Sequence, residues 1–236
     1  MGVISGGVAA AGGCLGYAVR GRSSSLLAPS IYRGDPTRRT VALTFDDGPS
    51  ESTPALLKLL EAHRVRATFF MCGANVRRLP RIAQEVVASG HEIGNHSDTH
   101  ARFDFKSPEF IYHELASAQE SIHAITGSSP NFFRAPYGVR WFGLRRAQRE
   151  LGLTGVMWTV IGRDWTLPAR RISRRLIDGA ANGAILCLHD GRITQASPDI
   201  GRTIEAVGEV IPRLHDRGLQ FQTVGGLLCS PIQSRN

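Results

Sequence analysis

The sequence predicts an α/β fold on a parallel sheet, of the (β/α) barrel kind, and three observations point there. Between residues 39 and 224, short apolar runs alternate with helical patterns, the order that a parallel sheet with right-handed crossovers requires. A chain of 236 residues is long enough for one barrel with a sizeable core. Asp46, Asp47, His96, Arg134, Asp164 and His189 all fall at or just past the carboxyl ends of predicted strands, which share one face in such a barrel.

The elements follow in order. Residues 3–19 are apolar, small and rich in Gly and Ala, and Arg20 and Arg22 come next. A signal peptide, an anchor helix and a disordered leader are all compatible with this stretch, and it is read as an export or membrane-anchoring segment. Residues 1–39 are assigned to this leader and a polar linker, 40–230 to the folded domain and 231–236 to a tail. Val41–Phe45 is the first strand. Thr53-Pro54 then starts a helix, with proline at the first helical position and Leu56, Leu57 and Leu60 on one face. Ala67–Met71 is a strand, Arg81–Ala88 a helix closed by Gly90, and residues 91–95 lead to a histidine pair.

Ser107-Pro108 opens the longest helix, with Ile111, Leu115, Ala118, Ile122 and Ile125 on one stripe and Gly127 as its stop. Phe132-Phe133 is a short strand before Arg134. A helix covers residues 141–151, a strand 154–160, an arginine-rich helix starts at Pro168, and a strand runs over 184–188 to His189. Pro198 opens a last helix reaching Gly218, which Pro212 is expected to kink because it lacks a backbone donor. Residues 219–224 form the seventh strand.

The chain has 28 Lys and Arg against 20 Asp and Glu, a formal charge of +8. Nearly all the cations are arginines scattered over several helices, as solvated faces are. No stretch interleaves basic and aromatic residues, so nucleic acid is excluded as a partner. Cys14, Cys72, Cys187 and Cys229 form no C-x-x-C pair, which excludes a zinc ribbon and a redox motif. Cys72 and Cys187, in apolar runs, read as buried thiols.

Chemistry concentrates where the first strand ends, in Thr44-Phe45-Asp46-Asp47-Gly48-Pro49. Two adjacent carboxylates stay charged inside a fold only beside a cation. Two candidates are in the chain: a metal, for which His96-Ser97-Asp98-Thr99-His100 has ligand spacing, and Arg134 of Arg134-Ala135-Pro136-Tyr137. A zinc-protease reading of the histidine pair fails, because Ser97 stands where that motif needs a glutamate. One at a time these residues have ordinary explanations: turn chemistry for Asp-Asp, a capped carbonyl for Arg134, a loop anchor for Asp164-Trp165. Their joint placement at strand ends does not.

In this order the segments resemble those of the polysaccharide deacetylases, the family that shares the NodB homology domain (carbohydrate esterase family 4). The resemblance covers about residues 41–228 and rests on residues 44–48, 96–100, 134–137, Asp164-Trp165 and His189-Asp190. It implies a distorted (β/α) barrel of about seven strands. It also implies a hydrolase that removes N-acetyl groups from amino sugars in a polymer, peptidoglycan or chitin-like.

By the same resemblance Asp47, His96 and His100 would hold a divalent metal, zinc first and cobalt, nickel or manganese as alternatives. Asp46 would be the general base, oriented by Arg134. The backbone N–H of Tyr137 would stabilise tetrahedral charge, and His189, supported by Asp164, would protonate the leaving amine. Trp165, with Cys187 at a position usually held by leucine, would wall the acetyl pocket, and Ile161 departs from an aspartate often found there. The protein is expected to act as a monomer in the cell envelope or outside the cytoplasm, with membrane association through its N-terminal segment. A non-catalytic glycan-binding barrel, or a barrel hydrolase of O-acetyl esters or small cyclic amides, is the alternative.

Overall fold

The structure is a computed structural model that describes residues 13–193 and 195–229. The leader residues before Gly13 and the tail 231–236 lie outside the described residues. Residues 13–20 are helical (α1). No helix among the described residues is long and apolar enough to cross a membrane.

Among the described residues nine strands form one sheet in which every strand pairing is parallel, curled into a distorted (β/α) barrel. In chain order they are β1 (Ser30–Ile31), β2 (Thr40–Gly48), β3 (Thr68–Met71), β4 (Glu92–Asn95), β5 (Phe132–Phe133), β6 (Thr154–Val156), β7 (Val160–Ile161), β8 (Ala184–His189) and β9 (Gln220–Gln222). Their spatial order is β1-β6-β5-β4-β3-β2-β8-β7, with β9 beside the first residues of β2. β2 is central and buried along all nine residues, as an apolar strand covered on both faces must be.

Helices cover the outside: α2 (Thr53–Ala62), α3 (Gly73–Arg78), α4 (Pro80–Ala88), α5 (Pro108–Thr126), α6 (Leu144–Glu150), α7 (Ala169–Gly179) and α8 (Gly201–Asp216), with the short α9 (Val224–Leu228) after β9. α5 matches its sequence signals. The Ser107 side chain accepts from the Phe110 N–H, Gly127 ends the helix at φ 73, and Ile111, Leu115, Ala118 and Ile122 are buried. α8 is one helix through Pro212.

Period-two alternation divides each strand between two cores. Val41, Leu43 and Phe45 face the helices, together with Leu56, Leu60, Leu176, Val207 and Val210. Ala42 faces inward with Phe70, Val156, Ile185 and Val224, and this inner core is the floor on which Thr44 and Asp46 stand.

Four features differ from the sequence expectation. The single strand expected over 154–160 is two, β6 and β7. Residues 23–39, read as a linker, contribute β1, which pairs with Gly155 and Val156 and owes its form to that neighbour rather than to its own pattern. α3 has no counterpart in the sequence reading. The last strand ends at Gln222, because Thr223 caps α9 by accepting from the Gly226 N–H.

Candidate active site

Successive strand residues point to opposite faces, so Asp46 and Asp47 could not share a cavity on a regular strand. A bulge solves this. Asp46 is in register with Phe70 and His189, the register then shifts, and Gly48 pairs with Met71. Asp47 is left between them at φ 72, which turns its side chain to the same side as Asp46. Both carboxylates line a cavity of about 550 Å³ with His96, His100, Tyr137, Trp165 and His189.

Arg134, fully buried, fixes the position of Asp46. Its Nη1 donates to Asp46 Oδ1 at 2.6 Å and to Thr44 Oγ1 at 2.8 Å. Its Nε and Nη2 donate to the carbonyls of Val156 and Met157, and its guanidinium stacks 4.2 Å from the Phe70 ring centre. A guanidinium with its donors used this way is a fixed charge that holds a carboxylate in one orientation.

Asp47 has different partners. Its Oδ2 accepts from the Ile193 N–H, and its carbonyl accepts from Asn75 Nδ2. Its Oδ1 is buried and receives no hydrogen bond, although His96 Nε2 and His100 Nε2 lie 3.3 and 3.0 Å away. His96 Nδ1 is 2.8 Å from the Arg134 carbonyl, which accepts its proton and leaves Nε2 with a lone pair. Three donor atoms thus converge within 4.8 Å on buried residues, an arrangement that asks for a cation among them.

Facing these, His189 Nδ1 lies 2.8 Å from Asp164 Oδ1. Asp164 Oδ2 accepts from the His189 N–H and from Thr203 Oγ1. Burial disfavours the imidazolium, yet the Asp164 charge and hydrogen bond prevail, with Asp47 and Asp46 adding to them, and the His189 pKa is pushed up to about 9. Burial likewise opposes the Asp164 anion, but His189 and Thr203 lower its pKa. Trp165 stands edge-on to His189 at 5.0 Å, and the Tyr137 ring stands edge-on to His100 at 4.7 Å. Tyr137 has φ 57, set by the tight turn Pro136–Gly138.

Of the residues singled out in the sequence, one lies elsewhere than expected. Cys187 is fully buried on the inner face of β8, and its Sγ donates to Asp46 Oδ2 at 3.5 Å. It lies behind Asp46 and contributes no lining to the cavity. Burial, reinforced by the Asp46 charge, pushes its pKa well up and keeps it a thiol. The apolar wall beside Trp165 comes instead from Trp158 and Ile161. Ile161 occupies the departure noted above, whereas the roles of Trp158, Thr203 and Asn75 carry no local signal in the sequence.

Known proteins resemble this chain in sequence and in fold. A sequence profile described as polysaccharide deacetylase matches residues 33–156. The peptidoglycan-N-acetylglucosamine deacetylase PgdA of Listeria monocytogenes is 31% identical over 89% of this chain and 43% of its own length. The chain therefore spans less than half of that relative. A chitooligosaccharide deacetylase of a Bradyrhizobium strain is 36% identical over 78% of this chain and 88% of its own. Among solved structures, a family 4 pseudoenzyme from Bacillus anthracis superposes with a TM-score of 0.78 at 29% identity, covering 86% of this chain and 70% of that one.

Proposed function

The chain belongs to the polysaccharide deacetylase family, and from that membership and its site we propose that it hydrolyses N-acetyl groups of amino sugars in an envelope polysaccharide. The observation that carries this reading is the pairing of a fixed, arginine-bound Asp46 with the buried Asp47, His96 and His100 on one side of a cavity and the His189–Asp164 pair on the other. Overall fold alone does not separate enzyme from binding protein here, since a pseudoenzyme superposes well. The full set of acid, base and ligand residues favours turnover.

The unpartnered Asp47 Oδ1 and the convergent imidazoles fit a divalent metal, with zinc preferred for two nitrogens and a carboxylate. When bound, such an ion polarises the acetamide carbonyl and acidifies water. Asp46, oriented by its hydrogen bond from Arg134, accepts the proton of the attacking water. The Tyr137 N–H faces the developing oxyanion. His189, held through Nδ1 by Asp164, presents Nε2–H to the departing nitrogen. The amine leaves protonated and acetate is released. Trp165, Trp158 and Ile161 shelter the acetyl methyl group from water.

Peptidoglycan and chitin-like chains are the substrates of choice, because the Listeria and Bradyrhizobium relatives are named for these polymers. On this reading the protein works in the cell envelope, outside the cytoplasm. Acetate release from peptidoglycan, chitooligosaccharides and acetylated xylan by zinc-loaded protein tests the proposal. Acetate from either of the first two supports it. Acetate from xylan alone transfers the site to ester hydrolysis, and none from any substrate returns it to glycan binding.

A further inference from the structure

A cavity of about 550 Å³ holds the reacting sugar but not a polymer, so the chain being deacetylated must leave over its rim. At the Tyr137 rim the surface is built of rings. Arg102 lies over the Tyr137 ring at 5.6 Å and pairs with Asp104 at 2.6 Å. Next to Asp104, Phe105 projects into solvent at 85% exposure, more than any other large apolar side chain among the described residues. Its backbone has φ 62, a region that bulky residues rarely enter. The Phe105 ring lies 4.9 Å from Trp141, and Trp141 lies 5.3 Å from Phe142, itself 58% exposed. Trp141 is half-buried against the core of α5 and α6 and anchors the group, while the two phenylalanines contribute nothing to that core. Neither the metal nor the proton transfers need these three residues.

We infer that Phe105, Trp141 and Phe142 form an outer subsite that stacks on the pyranose rings of the substrate chain beyond the sugar undergoing deacetylation. This rests on the reading of the site as a polysaccharide deacetylase. Exposed aromatic rings present broad apolar faces with a negative quadrupole, which match the C–H faces of a sugar ring, and an apolar patch exposed at a site's rim marks an interaction surface. The polar residues between the rings decide the occupant. Arg102, which lies over the cavity residue Tyr137, and Asp104 make the patch continuous with the catalytic cavity and offer polar groups to a chain rich in hydroxyls, so the occupant is the substrate chain itself.

The test compares an N-acetylglucosamine dimer with the hexamer, using the full chain. Calorimetric affinities are taken with chelator present, so that no ligand is consumed, and KM and kcat come from the zinc-loaded protein. Phe105→Ala combined with Phe142→Ala should weaken hexamer binding and raise hexamer KM roughly tenfold, leaving kcat and both dimer values unchanged. Phe105→Trp should retain hexamer affinity. Unchanged hexamer affinity, or equal loss for both lengths, overturns the subsite. Binding to phosphatidylglycerol vesicles that the double variant abolishes, with hexamer affinity intact, reassigns the patch to a membrane. Length-dependent affinity without any acetate release leaves the subsite standing and overturns the deacetylase reading alone.

Discussion

Asp164 holds His189 from two directions: its Oδ1 lies 2.8 Å from the ring Nδ1, and its Oδ2 accepts the backbone N–H of the same residue. The ring cannot rotate without breaking the first bond, and the carboxylate cannot follow it without breaking the second. Nε2 is thereby aimed into the cavity, and the proton it carries is stabilised by a charge that is itself nearly solvent-free.

The pH profile follows from that pair. His189 has its folded pKa raised to about 9, so the imidazolium is present below that value and lost as pH rises through it. Activity that needs the proton should show an alkaline limb near pH 9. Asp164→Asn removes the charge, so the limb should move to lower pH with zinc content unchanged. His189→Ala should lower kcat by about 10²–10⁴-fold. Initial rates across pH for the three proteins check this, and a limb that stays put in Asp164→Asn would remove Asp164 from its role.

Arg134 should matter to the fold as well as to turnover. Arg134→Met leaves the Asp46 carboxylate buried without its cation, at a cost of about 3–5 kcal/mol. Adding Asp46→Asn removes the stranded charge, so the double variant should be more stable than the sum of the single losses by roughly 0.5–3 kcal/mol. Urea denaturation of the four proteins measures both numbers. Strict additivity would show that the two groups do not interact.

Trp165 and Cys187 separate a wall from its backing. Trp165 is 45% exposed at the cavity, so Trp165→Ala should raise KM while stability changes by less than about 0.5 kcal/mol. Cys187→Ala removes a buried group that touches Asp46 and not the cavity, so its effect should fall on kcat and stability while KM stays near the wild-type value. Steady-state kinetics with thermal melts distinguishes the two patterns, and a KM effect for Cys187→Ala would return it to the wall.

These cases also show what the sequence made legible. The strand-end positions of Asp46, His96, Arg134, Asp164 and His189 could be read because alternation and helix stops locate the ends of parallel strands. The bulge that brings Asp47 beside Asp46 could not, since it lies in a register shift against β3 with only Gly48 to hint at it. The family resemblance puts Cys187 on the wall, where a leucine usually stands two positions before the histidine, but its register on β8 sets it one layer deeper than His189, level with Thr44. Thr203 meets Asp164 from α8, at 39 positions' distance, where no local pattern reports the contact. β1 and the break between β6 and β7 depend on tertiary partners in the same way.

The central claim is that two adjacent carboxylates do different work, Asp47 as a metal ligand and Asp46 as the base. Zinc content and acetate release measured on the same preparations of Asp47→Ala and Asp46→Asn test it most directly. The account predicts that Asp47→Ala loses both, whereas Asp46→Asn keeps its zinc and loses turnover by about 10²-fold or more. Equal zinc loss in the two variants, or turnover retained in Asp46→Asn, would contradict it.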